Sequence, residues 1–176
     1  VHLGQAIPKG KSMDLILQKA TELGAACITP ILAERSVVDL DAERIEAKRD
    51  KWQTTVLEAC KQCGQNWLPE VQVPARLQDF LDGLPKVGLR LIASLQPDAR
   101  PMPVVLREAT AGGPLREVTL MIGPEGDFTP AELGRARAAG FLPVSLGPHV
   151  LRTETASLFC LSALLYESLN PTVGAA

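Results

Sequence analysis

Two apolar runs, Val118–Ile122 and Leu142–Leu146, each break into a glycine-proline loop that leads directly into a helical pattern. The first loop is Gly123-Pro124-Glu125-Gly126-Asp127-Phe128. The second, from Leu146 to Ala156, reads Leu-Gly-Pro-His-Val-Leu-Arg-Thr-Glu-Thr-Ala. Short apolar runs bounded by turn residues read as buried strands. A strand that ends in a glycine loop and restarts as a helix is the repeating unit of an open α/β sheet, where ligands bind beyond the carboxyl ends of the strands. Glycine lets backbone approach a ligand closely, and a helix start offers unpaired N–H groups. The two junctions therefore restrict the chain to an α/β architecture and predict a ligand site where they converge.

The rest of the chain repeats that alternation. Residues 1–7 read as a strand, and Ser12 as the N-cap of a helix with Met13, Ile16, Leu17, Ala20 and Leu23 on one face and Gly24 as its stop. Ala26–Leu32 is a second strand, in which Pro30 marks an irregularity or a sheet edge. Asp41 caps a long helix to about Gly64, with Ile45, Trp52, Val56, Ala59 and Cys63 as its apolar face. A short helix over 76–84, a strand over Leu89–Ser94 closed by Leu95-Gln96-Pro97, and a helix over 103–109 follow. Thr129-Pro130-Ala131-Glu132 is a capping box with proline at the first helical position. The last helix starts at Thr153 or Thr155 and presents Leu158, Phe159, Leu161, Leu165 and Leu169. Alternation of this kind predicts a mostly parallel sheet with helices on both faces. We expect one domain over 1–170 and a disordered tail over 171–176.

Charge and cysteine usage narrow the function. A net charge of −2 is a poor electrostatic footprint for a domain that holds nucleic acid alone. Local basic residues exist at Lys9, Lys11 and Lys19, and at Lys48, Arg49 and Lys51, the latter group reading as a solvated helix face. No apolar run reaches the length of a membrane span. Cys60 and Cys63 form an isolated Cys-x-x-Cys late in a helix pattern, far in sequence from His2 and His149. That spacing fits neither a zinc site nor a thioredoxin-like motif, so no metal is expected and the thiols are expected reduced, as in the cytoplasm. The chain also lacks a P-loop, a G-x-G-x-x-G fingerprint and a G-x-S-x-G elbow. Glu125, Arg152, Thr153, Glu154 and Thr155 cluster in the two glycine loops, where spacing alone fits helix capping and ion pairing as well as catalysis. Glu34-Arg35-Ser36, after the second strand, reads by itself as an exposed polar loop.

A family resemblance goes further than the residues alone. Gln18-Lys19-Ala20-Thr21-Glu22-Leu23-Gly24, Glu34-Arg35-Ser36, Trp52, Ala59-Cys60-Lys61-Gln62-Cys63-Gly64, Ile122-Gly123-Pro124-Glu125-Gly126, Leu146-Gly147-Pro148 and Val150-Leu151-Arg152-Thr153-Glu154-Thr155-Ala156 occur in this order. In that order the chain resembles the RsmE family of bacterial 16S rRNA (uracil-N3)-methyltransferases, in the SPOUT superfamily. The resemblance implies a C-terminal deep trefoil knot, S-adenosyl-L-methionine as methyl donor, 16S rRNA in the small ribosomal subunit as substrate, and a homodimer in the cytoplasm. It implies a donor site at Leu95, Gln96 and Pro97, at Ile122, Gly123, Pro124, Glu125 and Gly126, and at Leu146, Gly147, Val150 and Leu151, with Thr155 nearby. Arg152 would stabilise charge on the base or bind its phosphate, Glu154 would position or accept the proton, and Arg35 is a second candidate for the RNA side. Two other readings stay open: a SPOUT enzyme acting on tRNA ribose 2′-O, and a non-catalytic module that binds S-adenosylmethionine or RNA.

The resemblance has gaps. Ser12, Lys61, Gln65, Asp127 and His149 stand where the family pattern has a basic residue, Glu, Arg, a second Gly and Arg, respectively. Family members also carry an upstream PUA-like RNA-binding domain. This chain begins at Val1 in a strand pattern, so we expect it to be the catalytic domain alone, with weak RNA affinity.

Overall fold

The computed structural model describes residues 1–36 and 42–169. The expected Asp41 cap and the tail over 171–176 lie outside the described residues. In chain order the elements are β1 (His2–Ala6), α1 (Ser12–Glu22), β2 (Cys27–Leu32), α2 (Ala42–Cys63), β3 (Glu70–Val71), β4 (Ala75–Arg76), α3 (Leu77–Asp82), β5 (Leu89–Ala93), β6 (Arg100–Pro101), α4 (Met102–Thr110), β7 (Val118–Ile122), α5 (Pro130–Ala138), β8 (Leu142–Ser145) and α6 (Thr153–Leu169). The strands form one sheet in the order β3-β2-β1-β7-β5-β8-β6, with β4 also pairing β2. Every described pairing is parallel. Strand carboxyl ends therefore share one edge, and β7, β5 and β8 lie side by side there.

Alternation along the strands divides the core in two. Leu3, Ile28, Leu91, Leu120 and Ile122 face α1, α2, α4 and α6, where Met13, Ile16, Leu17, Trp52, Met102 and Leu161 pack on them. Ala6, Ile31, Ile92 and Met121 face the opposite way, toward Phe80, Leu81, Leu133 and Ala136 of α3 and α5. Each fully buried aliphatic side chain contributes about 1.5–3 kcal/mol. Exposed ion pairs such as Lys61–Glu58 contribute about 0–1 kcal/mol each, so the two apolar layers hold the fold together. At Gly4 a Cβ would stand 2.6 Å from Phe80 Cζ, so the strand passes the ring only because it has no side chain there.

Several local expectations need correction. Ser12 is the first helical residue of α1 rather than its cap; Lys11 occupies the cap position and no side chain bonds there. Pro30 falls in the gap between β3, which pairs Cys27 and Ile28, and β4, which pairs Ile31 and Leu32. With no N–H to donate, it splits the outer ladder into two short partners. These two-residue strands, and β6, lack the length in which a period of two becomes visible. The buried face of α6 is Thr153, Ala156, Ser157, Cys160, Leu161 and Leu164, whereas Phe159 and Leu169 are exposed. Small side chains make that contact, so counting large apolar residues rotates the predicted face.

The four cysteines are unpaired thiols. Cys60 is buried and Cys63 exposed, and burial pushes the Cys160 thiol up to about 12, which leaves it un-ionised and inert at neutral pH. Among the described residues no group of His, Cys, Asp or Glu is arranged to hold a metal ion. Also among them, no helix is long and apolar enough to cross a membrane.

Candidate active site

Three loops leave the adjacent carboxyl ends of β5, β7 and β8 and enclose a cleft of about 640 Å³. The size lies in the range of small-molecule sites. Each loop is closed by local chemistry. Ser94 Oγ accepts the Gln96 N–H at 3.2 Å, and Ser145 Oγ accepts the Gly147 N–H at 3.5 Å, so a serine turns the chain at the ends of β5 and β8. Gly147 then takes φ +121°, a conformation strained for any side-chain-bearing residue.

The middle loop is fastened from outside. Lys9 N–H donates to Glu125 Oε1 at 2.9 Å, and the Arg35 guanidinium donates to the Gly126 carbonyl at 2.6 Å. Asp127 has φ 59°, which explains why glycine suits this position; aspartate tolerates it because its Oδ1 accepts the Phe128 N–H at 2.7 Å. Burial pushes the Asp127 carboxyl above its usual range, partly offset by that N–H and by Arg35. Downstream, Thr129 and Glu132 form the expected capping box, with both reciprocal bonds made. Glu34 closes the assembly: its backbone N–H donates to Glu132, and its carboxylate takes bonds from Thr129 and Arg135. The Glu34-Arg35 pair is therefore the brace of the glycine loop.

A buried polar network fixes the third side. Thr153 Oγ1 donates to the Gly123 carbonyl at 2.7 Å and accepts from Gln5 Nε2 at 3.1 Å. Ser157 Oγ lies 2.5 Å from Gln5 Oε1 and 2.9 Å from the Thr153 carbonyl, its single proton serving one of them at a time. Gln5, Thr153 and Ser157 are at most 5% exposed. The network joins β1, the loop after β7 and the first turns of α6, so the amino end of α6 is aimed at the cleft. Arg152 N-terminally precedes the helix, and its carbonyl accepts the Ala156 N–H at 2.8 Å.

Of the residues singled out in the sequence, Leu95, Gln96, Pro97, Ile122, Gly123, Pro124, Glu125, Leu146, Gly147, Val150 and Leu151 line the cleft together, and Arg152 stands with them. Gly126, Thr155, Glu154 and Arg35 do not line it. Glu154 sits half-buried in the first turn of α6, where the helix dipole favours a carboxylate. Sequence reasoning passed over Ser94 and Ser145 as site residues, and it named Asp127 and Thr153 in the two loops without giving either a part in the cleft. The available signal for the serines was their place two residues before the loop amide that each binds. For Arg35, we expect replacement by alanine to weaken small-molecule binding in the cleft about three- to tenfold, the effect of one lost charge-assisted bond behind the loop. Calorimetry on both proteins measures this; unchanged affinity would remove Arg35 from the brace.

The lining suits a nucleoside-like ligand better than a phosphate. Its walls are mainly glycine, proline and aliphatic residues. Leu95 and Val150 stand 62% and 76% exposed, apolar faces ready to be covered by a flat ring. No lysine lines it, and its carboxylates, Glu125 and Asp127, disfavour an anion.

A parallel α/β domain with a backbone-lined cleft at its strand ends belongs to the class that binds nucleotide-type cofactors. Residues 1–165 match the RNA methyltransferase domain family, and the chain belongs to that family. It is 34% identical to the ribosomal RNA small subunit methyltransferase E of Bacillus subtilis over 172 residues, covering 96% of the chain and 66% of that protein. It is 37% identical to the Neisseria gonorrhoeae ribosomal RNA small subunit methyltransferase E solved with bound S-adenosyl methionine, with a TM-score of 0.82 over 93% of this chain and 64% of that one. A Legionella pneumophila protein assigned as a methyltransferase, in complex with the cofactor SAM, gives 41% identity and a TM-score of 0.84, covering 94% and 65%. The chain thus spans less than two thirds of the length of these relatives.

Proposed function

We propose that this chain is the catalytic part of an S-adenosylmethionine-dependent methyltransferase that acts on N3 of a uridine in 16S rRNA of the small ribosomal subunit, in the cytoplasm. The observation that carries this reading is the three-loop cleft, whose apolar, backbone-rich lining suits an adenosyl group and offers no phosphate cradle. The relatives' names and the bound cofactor in two of them support the same donor. Bound there, the donor supplies a methyl group already activated as a sulfonium.

The chain's own residues must then orient the uridine and favour its N3 anion. The N3 proton has a pKa roughly two units above neutral, so ionisation at pH 7 costs about 3 kcal/mol. Arg152 stands at the cleft beside the amino end of α6, and no carboxylate of the described residues pairs with it. A guanidinium and a helix amino terminus together stabilise negative charge developing on the base. Glu154, one residue on, is assigned to positioning near the exit of the proton. Arg35 is assigned to the donor loop rather than to RNA.

The proposed trefoil knot is supported by the path of the C-terminal segment. β8 lies beyond β5, yet α6, which follows it, packs on α1 and bonds to Gln5 of β1 and Gly123 after β7. Residues 146–152 must therefore recross the strand ends. A homodimer is supported by Phe159, Tyr166 and Leu169, which leave an apolar strip of α6 44%, 66% and 70% exposed.

The test is transfer of labelled methyl from S-adenosylmethionine to small ribosomal subunits that lack the modification. Label in the rRNA is the expected result. Donor binding without any label would reduce the chain to a binding module.

A further inference from the structure

A second concavity, about 480 Å³, lies between the turn after β1 and the outer side of α2. Its rim carries Lys9, Lys11, Lys48 and Lys51, drawn from segments that are remote in sequence; among the described residues the one carboxylate that lines it is Asp14. On a chain of net charge −2 this is a local reversal of sign.

The four lysines differ from six other cations of the protein, although among the described residues they share the lack of an ion-pair partner with scattered exposed cations such as Lys86 and Arg116; what sets them apart is that they line one concavity. Lys19, Arg49, Lys61, Arg100, Arg135 and Arg137 each have a carboxylate at 2.6 to 2.9 Å. None of the four rim lysines has an ion-pair partner among the described residues. Four ammonium groups and one carboxylate around one concavity leave a local surplus of positive charge that an anion would offset. The Lys48 ammonium is also pre-oriented: it lies 5.3 Å from the ring centroid of Trp52, which is buried in the wall. The eleven-residue helix α1 begins at the same concavity without a side-chain cap, so its positive end adds to the field.

The concavity adjoins the cleft. Lys9, on its rim, donates its backbone N–H to Glu125, which lines the cleft. We propose that this lysine-lined groove docks a backbone phosphate of the substrate RNA, beside the nucleotide presented to the cleft. The proposal rests on the reading of the chain as an RNA methyltransferase. It supplies what the cleft lacks: the cleft's own lining carries one arginine and two carboxylates, which by themselves do not hold a polyanion.

The test uses the intact chain and a short fluorescein-labelled, uridine-containing single-stranded RNA, followed by anisotropy from low to moderate salt. The Lys48→Gln/Lys51→Gln variant is expected to bind about tenfold more weakly at low salt, with a salt slope shallower by about 1–2. The Lys48→Arg/Lys51→Arg variant, which keeps the charge, is expected to stay within about threefold of the unmodified chain. So is Lys86→Gln/Arg116→Gln, an equal charge change at exposed positions elsewhere. Calorimetric affinity for S-adenosylmethionine is expected unchanged in all of them. The groove is overturned as an RNA dock if its glutamine pair matches the control pair in affinity and slope, or if the unmodified chain binds the donor but no RNA. It is also overturned if inorganic phosphate stabilises the unmodified chain but not the glutamine pair while RNA binding is alike in both. Failure of the unmodified chain to bind the donor overturns the methyltransferase reading itself, and is distinguishable from each of these.

Discussion

Replacing Arg152 by alanine lowers methyl transfer about 10²- to 10³-fold, the loss seen when one preorganised donor to a developing anion is removed. The expectation follows from position and charge. Arg152 is exposed at the cleft, its backbone is fixed by the first turn of α6, and its guanidinium has no carboxylate partner among the described residues. A charge-assisted hydrogen bond contributes about 1.5–3 kcal/mol, which is comparable to the cost of ionising uridine N3 at pH 7. Donor affinity should stay within a few-fold, because the donor contacts assigned here lie on the loops and not on this side chain. Arg152→Lys keeps the charge but loses the planar fork, and should fall between the two. Single-turnover transfer with calorimetry on the same proteins separates the effects. Full activity of the alanine variant would remove Arg152 from the chemistry.

Thr153→Val, the second large effect, acts on stability and on the cleft together. Valine has the shape of threonine, so packing is retained. It removes both bonds of Thr153 Oγ1 and leaves the half-buried Gly123 carbonyl and an N–H of the fully buried Gln5 side chain without those partners. Each orphaned buried group costs about 1–3 kcal/mol, so a loss of about 2–4 kcal/mol is expected. For a chain of this length each kcal/mol moves Tm by about 2–4 °C, giving a drop of about 5–15 °C. Thr153→Ser keeps both bonds and should recover most of it. Thr155→Val, at an exposed position, should change little. Thermal denaturation followed by circular dichroism reads all three, and a Thr153→Val midpoint equal to that of the unmodified chain would contradict the network.

Features carried by contiguous residues were legible in the sequence. The strand–loop–helix junctions at Val118–Ile122 and Leu142–Leu146, the Thr129–Glu132 capping box and the parallel α/β class all follow from local pattern. What escaped depends on distant pairing. Arg35 read as an exposed loop residue or an RNA contact because its partner, the Gly126 carbonyl, is 91 residues away. Thr153 read as one of two possible helix starts because its bonds reach back 30 residues to Gly123 and 148 to Gln5. Lys48 and Lys51 read as a solvated face because only the fold sets them beside Lys9 and Lys11. The inward face of α6 was misplaced because Ala156, Ser157 and Cys160 make close contact without large apolar side chains. The family resemblance carried the donor and the uridine; neither composition nor spacing names them.

The central claim is that the cleft delivers a methyl group to N3 of a uridine. Nucleoside analysis by mass spectrometry of small-subunit rRNA, after reaction of undermethylated subunits with the chain and isotopically labelled S-adenosylmethionine, tests it most directly. The account predicts label in N3-methyluridine, lost with Arg152→Ala. Label in a 2′-O-methylated nucleoside, or transfer that survives the loss of Arg152, would contradict it.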